Sequence, residues 1–93
     1  MESTESGITF AQFIISLGTT AAVHFGDLPD PSTGERGEPD LIAASQMIEL
    51  LALLQSKTQG NLDPAEAKLL DDLLYDLRMR FVQAQQQPHV AER

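Results

Sequence analysis

Few of the 93 residues belong to types that do chemistry. His24 and His89 are the only imidazoles, and cysteine is absent. A disulfide, a thiolate zinc site and a cysteine nucleophile are therefore excluded. A zinc ion needs three or four protein ligands, and neither histidine has another His at helical spacing. His24 instead stands near the end of a helical segment, where the helix dipole favours a cation. Asp27, Asp30, Glu35, Glu38 and Asp40 gather in one loop, but prolines interrupt them and their spacing is not that of a calcium-binding loop. Glu66, Asp71, Asp72 and Asp76 are carboxylates that acid–base catalysis would need desolvated in a cleft. On the outer face of a helix they are solvated, and Asp72, Asp76 and Arg80 at one-turn steps suit an ion-pair ladder. An enzyme would require a deep cleft gathering two of Glu49, Asp72, Tyr75 and Arg78. Ser45 and Ser56 lack the strained strand-to-helix elbow of a hydrolase serine. Gly34 and Gly37 follow no strand and make no phosphate fingerprint. The expectation is a chain with no catalytic residue, no metal and no cofactor, and thus not an enzyme.

One polar cluster has a structural reading. Lys57, Thr58, Gly60 and Asn61 suit the end of one helix, with a glycine free to take positive φ and a cation in the last turn. Asp63, Pro64 and Glu66 suit the start of the next: an N-cap, a proline at the first helical position, and an acidic variant of the capping box.

These residues imply three helices. Phe10, Phe13, Ile14, Leu17 and Ala21 recur at three and four residues, the helical period. Thr9 and Gln12 are spaced as a capping box, Ile8 and Phe13 as a hydrophobic staple, and Gly26 is a stop, giving a first helix over about 10–26. Gly18 and the β-branched Thr19, Thr20 and Val23 lower its helix propensity, so packing must hold it. Gly18, Thr19, Ala21 and Ala22 also offer small side chains where another backbone could approach. Residues 27–39 contain three prolines and two glycines and read as a long acidic loop. The second helix covers about 40–59 and is apolar on two sides: Leu41, Ala44, Ile48, Leu51 and Ala52 form one stripe, Met47, Leu50 and Leu54 another. The third covers about 64–85, with Leu70, Leu73, Leu77, Phe81 and Ala84 on one seam, widened by Leu69, Leu74 and Val82. The short turn between them predicts an antiparallel hairpin. Residues 8–85 form one helical domain, and 1–7 and 86–93 read as disordered tails.

The net charge is −8, from 14 acidic and 6 basic residues. Such a balance repels phosphate backbones and anionic membrane surfaces, which disfavours nucleic-acid binding. Met1-Glu2-Ser3-Thr4-Glu5 is acidic where a secretion signal is basic. The stretch from Ile8 to Gly26 has the length of a membrane span, but Gln12, Ser16, Thr19, Thr20 and His24 make it too polar. A cytoplasmic protein without a membrane span is expected.

The sequence resembles a bacterial family catalogued only as a domain of unknown function, number 1844. The resemblance rests on Phe10 and Phe13 with the apolar run after them, on Asp40, Leu41 and Ala44, and on Ile48, Leu51 and Leu54. Its most specific stretch is Lys57-Thr58-Gln59-Gly60-Asn61-Leu62, followed by Glu66 and Leu77-Arg78. It covers about residues 8–84. It implies a small helical bacterial protein and no particular activity.

The functional signal is surplus apolar surface. One hairpin and one apolar helix leave a stripe uncovered in a single copy, and large exposed patches mark interfaces. The expected function is a self-associating adaptor or regulator that binds other protein chains, most simply as a twofold homodimer. Phe10, Phe13, Ile14, Leu17, Met47, Leu50, Leu54, Leu70, Leu73, Leu77 and Phe81 are the candidate interface residues. The alternative is a carrier of a small apolar ligand, with Phe10, Phe13, Phe25 and Met47 lining a pocket between helices.

Overall fold

A computed structural model describes residues 8–86; the expected tail 1–7, most of the tail 86–93, and His89 lie outside them. Three helices follow one another: α1 (Phe10–His24), α2 (Leu41–Lys57) and α3 (Pro64–Gln86). The described residues contain no strand. Gln86, read from sequence as tail, extends α3 by one residue.

Each helix begins where a side chain accepts an otherwise unbonded backbone N–H. Thr9 accepts from the Gln12 amide at 3.0 Å while the Gln12 side chain accepts from the Thr9 amide at 3.2 Å. Asp40 accepts from the Ala43 amide at 3.0 Å. Asp63 accepts from the Glu66 amide at 2.8 Å, and Glu66 accepts from the Asp63 amide at 3.0 Å. Ile8 is 78% exposed, so a staple with Phe13 buries little of it.

The first two helices end slightly earlier than the spacing predicts. α1 ends at His24, with Phe25 as cap and Gly26 at φ +82°. The Gly26 amide donates to the Val23 carbonyl and the Asp27 amide to the Ala22 carbonyl, the paired bonds of a Schellman ending. α2 ends at Lys57, capped by Thr58, whose hydroxyl donates to the Leu54 carbonyl at 2.7 Å. Gly60, at φ +84°, is the third residue of a turn closed by the Asn61 amide on the Thr58 carbonyl.

α2 runs antiparallel to both neighbours. At one end Gln55 of α2 donates to the Asp71 carboxylate of α3 at 2.9 Å. α1 and α3 run parallel: Gly18 lies beside Leu73, and Phe25 lies beneath Arg80, seven residues further along both segments. The core takes Ile14, Ala21 and Phe25 from α1 and its cap, Ala44, Met47 and Leu51 from α2, and Leu70, Leu74 and Leu77 from α3. With the buried Gly18 between Ile14 and Ala21, these positions recur at three and four residues, so one stripe of each helix meets at the centre.

The connection between α1 and α2 is exposed yet internally bonded. Asp30 accepts from the Ser32 amide and hydroxyl, and its own amide donates to the Glu35 carbonyl. Those Ser32 bonds hold the Asp30 carboxyl below the ordinary carboxylate value. The Asp40 amide donates to the His24 carbonyl at 2.7 Å, so the loop returns to its own starting point.

Candidate functional site

The core takes part of the expected interface set. Ile14, Met47, Leu70 and Leu77 are buried within the single chain and offer no surface to a partner. Phe10, Leu73 and Phe81 are half-buried against that core. Leu73 covers Gly18, so the close approach that small residues of α1 permit is filled at this point by the chain's own leucine.

Phe13, Leu17, Leu50 and Leu54 come together on the surface. With Leu53 and Lys57 they line a groove of about 330 Å³ between the start of α1 and the end of α2. Antiparallel packing brings these two segments side by side. Phe13 is 43% exposed, Leu50 47% and Leu53 55%. Leu53 and the exposed Ile42 belong to neither apolar stripe read in the sequence. The signal for Leu53 was there: once two stripes of α2 are assigned inward, a leftover leucine must point outward.

The outer surface of α1 continues this face. Ser16, Thr19 and Thr20 are exposed, yet each hydroxyl donates to a carbonyl of its own helix: Ser16 to Phe13 at 2.7 Å, Thr19 to Ile15 at 3.0 Å, Thr20 to Ser16 at 3.0 Å. Their hydrogens are satisfied without water, so covering them leaves no donor stranded.

Charge is placed elsewhere. Among the described residues, the acids lie in the α1–α2 connection and its Asp40 cap, or on α3 and its Asp63 cap, with Glu49 the one exception. α1 and α2 together carry only Glu49, Lys57 and the histidine His24.

Two ion pairs mark the other faces. Lys68 and Asp72 pair at 2.8 Å one turn apart, and this bond raises the Lys68 pKa. The expected Asp72–Asp76–Arg80 ladder is corrected. Arg80 reaches across to Asp27, with Nε donating to Oδ2 and Nη2 to Oδ1, both at 2.7 Å. Its guanidinium also lies 5.1 Å from the centre of the Phe25 ring. A planar fork gains more from a bidentate carboxylate and an aromatic face than from one exposed carboxylate a turn away. The Arg80 hydrogen bond lowers the Asp27 pKa, against a smaller opposing effect of burial.

Asp71, Asp72, Tyr75 and Arg78 border an open depression on the outer face of α3, and Tyr75 is 65% exposed. Asp71 and Asp72 are exposed there, whereas a general acid works best desolvated. Among the described residues no three His, Cys, Asp or Glu side chains are grouped to hold a metal ion. His24 stands beside Asp30, Glu35 and Asp40 at the rim of a polar hollow beneath the connection. Of the four residues proposed to line a pocket, Phe25 and Met47 are core, Phe10 is half-buried against the core, and Phe13 lines the groove. No described helix is long and apolar enough to cross a membrane.

The chain belongs to the family described as "Domain of unknown function (DUF1844)", whose model matches residues 7–83. This is the family to which the Lys57–Leu62 stretch and the leucine spacing pointed. No curated protein and no solved structure matches the chain significantly.

Proposed function

We propose that this family member is a non-catalytic helical module that self-associates and, as an oligomer, acts as an adaptor or regulator for another bacterial protein. The observation that supports this most is the apolar groove at Phe13, Leu17, Leu50, Leu53 and Leu54, with Lys57 its one charged lining residue, open to water although the three helices have already closed a core. Interface centres are depleted of charge and rich in apolar and aromatic side chains, as this face is. For a chain of net charge −8, two copies meet with least repulsion where acids are fewest, and α1 and α2 carry only Glu49. The acidic α3 surface and connection then remain outward for a further partner.

Light scattering on the full chain at tens of micromolar tests the reading. A mass above that of one chain, reduced by Leu50→Asp, supports it. A wild-type monomer refutes it.

A second reading rests on the same groove, whose volume lies at the low end of the range for small-ligand sites. A bound apolar molecule would keep one side in water, which makes a protein surface the better occupant. Native mass spectrometry of the purified protein separates the two, since a carrier retains a lipid-sized adduct.

A further inference from the structure

Resting on that self-association, we propose that two copies join through the outer face of α2, antiparallel, about a twofold axis that passes at Leu53. Besides the histidine His24, α1 and α2 together carry one acidic and one basic side chain, Glu49 and Lys57. Glu49 and Lys57 are both exposed, and each lies four residues from Leu53, on opposite sides of it. Four residues advance a helix by about 6 Å and turn it by only about 40° beyond one full turn. Glu49, Leu53 and Lys57 therefore share one face in a line. A twofold axis through Leu53 makes the two α2 helices antiparallel and sets residue Glu49 of each copy opposite Lys57 of the other. The same operation places Leu53 against its own mate, at the lip of the groove that Phe13, Leu17, Leu50 and Leu54 line. Isologous contacts require such self-complementarity, since every attraction is made twice.

Neither charged residue has an ion-pair partner within one copy among the described residues. The arrangement is specific to this axis: a parallel pairing in the same register would set Glu49 against Glu49 and Lys57 against Lys57. Antiparallel pairing also aligns the two helix dipoles favourably.

Charge reversal tests the register at exposed positions that leave the core intact. Glu49→Lys changes the net charge from −8 to −6, and Lys57→Glu changes it to −10. If overall repulsion governed association, the first would tighten the dimer and the second weaken it. Under the proposed axis both weaken it, by about tenfold in Kd, because each creates two like-charge contacts. The double variant Glu49→Lys/Lys57→Glu returns to within about threefold of wild type. An equimolar mixture of the two single variants forms a heterodimer, since both of its cross-pairs are again opposite in sign.

A second measurement needs no charge argument. The chain lacks cysteine, so Leu53→Cys introduces a single thiol. Mild oxidation should cross-link it to its mate, whereas Tyr75→Cys on the outer face of α3 should not. A stable dimer in which the single reversals follow net charge, or in which Leu53→Cys fails to cross-link, overturns the axis while leaving self-association standing. A wild-type monomer overturns both.

Discussion

Leu73 of α3 lies over Gly18 of α1 so closely that a Cβ on the glycine would stand 2.9 Å from Leu73 Cδ1. The absence of a side chain at Gly18 therefore sets the distance between the two parallel helices. This explains why a glycine, which weakens a helix interior, is buried in the middle of α1.

Gly18→Leu should separate α1 from α3 and destabilise the fold by about 2–3 kcal/mol. Gly18→Ala meets only the tip of a flexible leucine, and its gain of about 1 kcal/mol in helix propensity offsets the displacement. Chemical denaturation at fixed protein concentration compares them. Equal loss from both substitutions would show that the Gly18–Leu73 contact does not set the spacing.

Asp27→Asn should cost about 1 kcal/mol at neutral pH, a modest figure because the pair is partly exposed to solvent. The sign with pH follows from linkage. The folded-state pKa of Asp27 lies below its unfolded value, so its contribution is present above the ordinary carboxylate range. It is lost as pH falls through the lowered folded pKa. Wild type and Asp27→Asn should therefore converge in stability in strong acid and diverge toward neutrality. A gap independent of pH would assign the effect to packing rather than to charge.

Asp63→Ala and Glu66→Ala should each cost about 1 kcal/mol, as N-terminal caps do. Because each side chain accepts the other's amide, the double variant should lose less than the sum of the two. Strict additivity would mean that the two bonds form independently.

The local features of the fold were legible because they are written in neighbouring residues. Thr9 with Gln12 and Asp63 with Glu66 lie three positions apart, and the three- and four-residue spacing of Ile14, Ala21, Ala44, Met47, Leu51, Leu70, Leu74 and Leu77 places them inward. Two things were not legible. Arg80 has acids one and two turns before it in sequence, and nothing local says that a carboxylate 53 residues away wins. The candidate interface mixed core with surface, since a leucine seam looks the same whether a helix of the same chain or of another covers it. Leu77 proved to be core, and Leu53, outside both stripes, proved to be surface.

That division yields a further prediction. Leu77→Asp buries a carboxylate in the core and should cost at least about 3 kcal/mol. Leu53→Asp should leave the folded single chain within about 0.5 kcal/mol of wild type while abolishing association. Circular dichroism on dilute samples reads the first effect and light scattering the second. Unfolding by Leu53→Asp would place that residue in the core instead.

Self-association of the intact chain is tested most directly by sedimentation velocity across a concentration series from one to one hundred micromolar. If the chain self-associates, the weight-average mass climbs toward twice the chain mass in wild type and stays at the chain mass in Leu53→Asp. A wild-type mass fixed at that of one chain over the whole series would contradict it.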